Sequence, residues 1–129
     1  MANPIRTTFD IVAARETLEG RERKRAETRR LRWVKACDDF DRIVAHIIQK
    51  YKPLRIYQWG SLLNAKRFTE MSDIDIALEG LAGPLDGLHA LADAEEMTDI
   101  AVDIVELERI HPLHAKTIRE EGKLIYERK

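Results

Sequence analysis

Residues 73–78, "DIDIAL", alternate acidic and apolar side chains before turning wholly apolar. In an extended strand, side chains two apart point to the same side, roughly 6.5–7 Å from each other. Ile74 and Ile76 therefore face a core, while Asp73 and Asp75 share the other side. An unpaired carboxylate beside a core is costly, so the fold must bring something that pairs with it or neutralises it. A second run, "DIAVDIVEL" (99–107), is built the same way: Asp99, Ala101 and Asp103 on one face, Ile100, Val102 and Ile104 on the other. The chain must therefore make a sheet with acids on one surface.

The remaining segments supply helices and further strands. From about Phe9 to Lys52 the chain reads as helix, weakened or broken near Gly20. Its second half carries one apolar stripe, with Trp33, Cys37, Phe40, Ile43, Val44, Ile47, Ile48 and Tyr51 at three- and four-residue steps. Its first half, "RETLEGRERKRAETRRLR", is nearly all charge and has only Leu18 and Leu31 as large apolar residues, so it reads as a solvated helix or a partner-binding arm. Pro53 marks the stop. "LRIYQW" (54–59) is a strand leading into Gly60; "LDGLHALADAEEM" (85–97) is a helix after Gly83-Pro84. "HPLHAKTIREEG" (111–122) is a last helix opened near Pro112 and closed by Gly122, and "KLIYER" (123–128) is a terminal strand. Short alternating units predict a small α/β (α+β) domain, a mixed sheet with helices on one face.

Composition narrows the setting. With 129 residues the chain suits one hydrophobic core. A net charge of −1 disfavours a surface built for nucleic acid. A lone cysteine, Cys37, removes any internal disulfide framework and makes a reducing cytoplasm the simplest location. The opening "MANPIRTTFD" has no apolar leader run, and no segment is apolar for long enough to span a bilayer.

Chemistry concentrates around the acids. Carboxylates side by side repel unless a cation lies between them. Mg²⁺ suits such a pair, because it favours one or two carboxylates plus substrate phosphates. Two such ions can hold both the attacking and the leaving oxygen of an in-line phosphoryl displacement. Asp103, central in its run, is the third carboxylate of choice, with Asp99 as the substitute. Gly60 lacks a Cβ and lets a phosphate approach the backbone, and the Ser61 hydroxyl and nearby N–H groups can donate to it. Lys66 and Arg67 lie in the connecting stretch, within reach of a triphosphate.

"GSLLNAKRFTEMSDIDIAL" with the later "VDIVEL" resembles the nucleotidyltransferases of the DNA polymerase β superfamily, marked by Gly-Ser, a spacer, Asp-x-Asp and a third Asp on another strand. The size and the closing "HPLHAKTIREEGKLIYE" are similar to the minimal nucleotidyltransferase (MNT) branch, often the antitoxin partner of a HEPN-domain RNase. The resemblance spans roughly Leu54 to Glu127. It implies a nucleotidyltransferase core over residues 53–129, preceded by a charged arm and amphipathic helix over residues 1–52. It also implies that Asp73, Asp75 and Asp103 are catalytic and bind two Mg²⁺ ions, while Gly60, Ser61, Lys66 and Arg67 bind the nucleotide. ATP would be the donor, AMP the transferred group, and a tyrosine hydroxyl of a cognate HEPN toxin the acceptor. Many relatives carry a basic residue directly after Gly-Ser and an Arg-Gly soon after; here Leu62-Leu63 and Asn64-Ala65 stand there.

Two other readings compete. A catalytically weak or inactive protein of this fold would neutralise a toxin by direct binding through the arm. A transferase acting on a small-molecule hydroxyl would need a further enclosing domain. His111 and His114 lack the additional ligands of a zinc site and read as surface or capping residues, and Cys37 reads as a small core residue. The oligomeric state is left open.

Overall fold

The computed structural model describes residues 4–129, with side chains from residue 10 onward. Residues 1–3, which belong to the arm and to the opening segment read above for a leader, lie outside the described residues. The first element is a single helix, α1 (Pro4–Tyr51), of 48 residues, about 72 Å long at the standard rise. It passes through Gly20 without a break, so of the weakening or break expected there the break is corrected. One glycine costs about 1 kcal/mol relative to alanine, and Leu18, Glu19, Arg21 and Glu22 around it are good helix formers. Burial begins late on α1. No described residue before Ala36 is buried, and Leu18 is 59 % exposed.

From Ala36 the helix enters the core. Ala36, Phe40, Ile43, Val44 and Ile47 pack against Ile56, Ile74, Ile76 and Leu78 of the sheet. The strands are β1 (Arg55–Trp59), β2 (Ile74–Glu79), β3 (Val102–Glu106) and β4 (Lys123–Glu127), in the order β3-β2-β1-β4. β1 runs antiparallel to β2 and β4, while β2 and β3 are parallel, joined through α2 (Asp86–Met97). α2 adds Ala90 and Ala94 to the same core.

α3 (Pro112–Glu121) covers the opposite face. Its buried Ala115 and Ile118 pack on Tyr57 and Ala77, with Trp59 and Val105 at the margin. Helices therefore lie on both faces, not on one as the sequence predicts. The reason lies in the strands: Tyr57, Ala77 and Val105 alternate with the first core's residues and make a second apolar patch that needs a cover. Arg119 of α3 fastens the cover by donating to Glu79 of β2 at 2.9 and 3.1 Å.

Two polar clusters tie α1 to α2. Asp39, 2 % exposed, accepts hydrogen bonds from Lys35 (2.8 Å), Arg42 and the Thr98 hydroxyl (2.6 Å). Asp93 accepts from Tyr51 (2.6 Å) and Lys50 (2.9 Å) and lies 2.8 Å from His46 Nε2. With the core anchored from Ala36 onward, the outer part of α1 adds little burial. Deleting residues 1–30 is expected to leave the thermal midpoint within about 3 °C of the full chain, while helical circular dichroism falls in proportion to the residues removed. A loss above about 10 °C would show that the arm packs on the core.

Candidate active site

The strand register collects the acids. Asp75 is the ladder partner of Trp59 across the antiparallel pair and of Asp103 across the parallel pair. Adjacent strands lie about 4.8 Å apart, so Asp75 and Asp103 are neighbours on one face of the sheet, the α3 side. Asp73 sits one residue before β2 and is exposed; Asp99 lies in a bend before β3, outside the ladder. Burial, followed by the charges of Asp103 and Asp73, pushes the Asp75 carboxyl up to about 6 from its ordinary 3.8. Both of its influential charged neighbours are acids.

Gly60 closes the site from the side of β1. Its φ of +80° lies in the left-handed region, and a Cβ there would fall 2.3 Å from Asp75 Oδ2. Only glycine allows the backbone so close to this carboxylate. Gly60–Leu63 forms a single 3₁₀ turn, too short to act as a helix dipole. Leu62, 1 % exposed, roots the turn in the core, and its carbonyl accepts the Trp33 indole N–H at 3.0 Å. The residue following Gly-Ser thus serves packing. Ser61 is half-buried next to it.

The two cations of the connecting stretch part company. Arg67 lines a cavity of about 260 Å³ together with Trp59, Gly60 and His114. Lys66 lines a shallow groove with Arg29 and Arg30 of α1. His111 acts as a cap: its Nδ1 accepts the Leu113 N–H at 3.1 Å. His114 instead meets Trp59 edge to face, with ring centroids 5.4 Å apart. The sequence places Trp59 at the end of a strand and reads His114 as a surface or capping residue; the structure leaves His114 exposed and sets it against Trp59 beside Gly60. Trp59 was signalled by its place beside Gly60, whereas His114 arrives from another element and left no local trace.

The donor set can be tested against a metal ion. Among the described residues no three His, Cys, Asp or Glu side chains close around one point. A protein-only cage is therefore not built. The array of half-buried and exposed carboxylates, all hard oxygen donors of one sign, fits a Mg²⁺ ion that keeps waters and takes its remaining ligands from a phosphate substrate.

Comparison with known proteins follows the same outline. The family model described as "Polymerase beta, Nucleotidyltransferase" matches residues 42–129. No curated protein matches the chain. Among solved structures, the MntA–HepT toxin–antitoxin complex aligns with a TM-score of 0.54 and 19% identity, over 70% of this chain and 71% of the other. A toxin–antitoxin structure with AMP-PNP gives 0.56 and 20%, over 68% and 73%. The tri-AMPylated Shewanella oneidensis HEPN toxin in complex with MNT antitoxin gives 0.55 and 19%, over 72% and 73%. At these identities the likeness is one of fold.

The raised Asp75 carboxyl has a measurable signature. Between pH 3.8 and about 6 the folded state holds a proton that the unfolded chain has released, so the contribution to stability falls as pH rises through that window. Asp75→Asn should raise the thermal midpoint of the nucleotide-free protein at pH 8 by about 2–6 °C. The gain should shrink toward pH 4, where wild-type Asp75 is itself neutral. No gain at pH 8, or the same gain at both pH values, would contradict this electrostatic account.

Proposed function

The chain belongs to the polymerase beta nucleotidyltransferase family, and on that premise we propose that it is a Mg²⁺-dependent protein adenylyltransferase, the antitoxin of a HEPN-type RNase toxin. The observation that carries this reading is the register that sets Asp75 beside Asp103 and against the Cβ-less Gly60. Support for the donor and acceptor comes from similar folds crystallised with AMP-PNP and with a tri-AMPylated HEPN toxin.

In this proposal Asp73, Asp75 and Asp103 hold two Mg²⁺ ions. Bound there, the metal supplies the positive charge that lets a triphosphate approach the carboxylates and lowers the pKa of the acceptor hydroxyl. Gly60 and Ser61 present N–H and hydroxyl donors to the outer phosphates, Arg67 adds charge from the cavity wall, and Lys66 completes the nucleotide-binding set from the adjoining groove. Asp103 takes the proton of the incoming tyrosine hydroxyl. The new bond joins that oxygen to the α-phosphorus, the α–β bridging bond breaks, and pyrophosphate leaves with the electron pair. The toxin is silenced by the AMP it carries. Among the described residues no helix is long and apolar enough to cross a membrane.

A second reading, neutralisation by binding alone, draws on Leu62: the position where many relatives place a basic residue is sunk in the core. One experiment separates the two. A HEPN-type partner incubated with this protein, ATP and Mg²⁺ should gain mass in AMP units. Asp73→Ala/Asp75→Ala should lower the rate at least about 100-fold, and a chelator should abolish transfer. A stable complex with no mass gain would establish the binder in place of the enzyme.

A further inference from the structure

One side of α1 carries a continuous track beyond the domain. Ile11, Ala14, Leu18, Arg25 and Arg29 follow one another at steps of three, four or seven residues. They therefore lie along one side of the helix, over about 27 Å. Three shallow grooves mark the same line. The outer one is lined by Ile11, Ala14 and Leu18 and shares Glu19 and Glu22 with the next. The middle one shares Ala26 and Arg29 with the third, which crosses from α1 to Ala65 and Lys66. The track thus starts far out on the helix and ends at Lys66, next in sequence to Arg67 on the wall of the cavity beside Gly60.

Its chemistry changes along its length. Ile11 and Leu18 are each 59 % exposed and turn an apolar strip outward. Closer to the domain the lining is cationic. Arg30 pairs with Glu27 at 3.3 Å, while Arg25, Arg29 and Lys66 enter no ion pair among the described residues. Unpaired cations gain from carboxylates brought to them, and exposed apolar side chains gain from an apolar cover. A nucleic-acid backbone answers the first need and not the second, whereas a protein surface answers both. The family match begins at residue 42, so the helical part of the track lies outside the domain that carries the chemistry.

We propose that this track is a docking site for the acceptor protein, held through an apolar patch at Ile11 and Leu18 and through carboxylates at Arg25 and Arg29. The end of the track fixes the occupant. A protein lying along it reaches the stretch after Gly60, whose Arg67 lines the cavity next to the carboxylates. This role rests on the transferase reading and adds to it acceptor recognition outside the catalytic domain. Contacts made so far from the reacting atoms act on acceptor binding alone, so they lower the KM for the acceptor and leave turnover unchanged.

The test uses the full chain, ATP, Mg²⁺ and a HEPN-type partner, with two double variants at exposed positions, Ile11→Ala/Leu18→Ala and Arg25→Glu/Arg29→Glu. Each should raise the KM for the partner about 10-fold, with kcat and the KM for ATP unchanged. The arginine pair should also lose most of the salt dependence of that KM. An unchanged partner KM in both variants would overturn the proposal and leave the transferase reading standing, because transfer continues. A wild-type dimer in light scattering that both variants dissolve would also overturn it, by making a second copy the occupant. So would weakened binding of a duplex RNA alongside an unchanged partner KM. If the wild type binds the partner without transferring AMP, the transferase reading falls and calorimetry decides the docking site. Partner affinity about 10-fold weaker in the variants would then uphold the track, and equal affinity would remove it.

Discussion

Asp75 is held half-buried beside a second carboxylate, the charges that act on it among the described residues are those of acids, and the surrounding structure is arranged to keep it there. Its backbone is fixed by ladders on both sides, to Trp59 and to Asp103. The side chains that alternate with it, Ile74 and Ile76, are fully buried against α1 and α2. Moving Asp75 off this face would require a one-residue slip of β2, which would drive the acids into the core and the isoleucines out of it. The repulsion is therefore offset by the hydrophobic register of a central strand. A site of this kind is least comfortable when empty and gains most from a cationic or metal-bound ligand.

α3 sets the limits of that site. It covers Tyr57, Ala77 and Val105, while Asp103 stays exposed and Asp75 half-buried beside it. The Arg119–Glu79 contacts hold it against β2, and its first turn carries His114 onto Trp59. The same packing that completes the second core thus shapes the cavity next to Gly60. Fold and pocket share the same residues on this side of the sheet.

Much of this was legible in the sequence, because period-two and period-3.6 patterns report directly on which side of an element is apolar. The acids of residues 73–78 and 99–107, the stripe from Trp33 to Tyr51 and the Pro112–Gly122 helix could each be read from local spacing. Periodicity does not say which element covers a face, so α3 was expected with the other helices. The apolar set Tyr57, Ala77 and Val105 was there to be noticed, one residue out of phase with Ile56, Ile76 and Ile104. Gly20 misled for a different reason: a single propensity penalty is small against a run of strong helix formers. The pairing of Trp59 with His114 joins residues from β1 and α3, and long-range contacts of this type leave no mark in either segment.

The continuity of α1 has a mechanical consequence. Its outer half projects from the domain as the same rod whose inner half is clamped by Phe40, Ile43 and Ile47. Where the rod leaves the clamp, Trp33 donates to the Leu62 carbonyl and Arg32 lies over Phe68, so it touches the Gly60–Leu63 turn and the stretch after it. A lever some 40 Å long is thereby geared to the loop that borders Asp75. Force applied near Leu18 turns about a fulcrum at Trp33, and the first part of the domain in its path is the turn that faces the carboxylates.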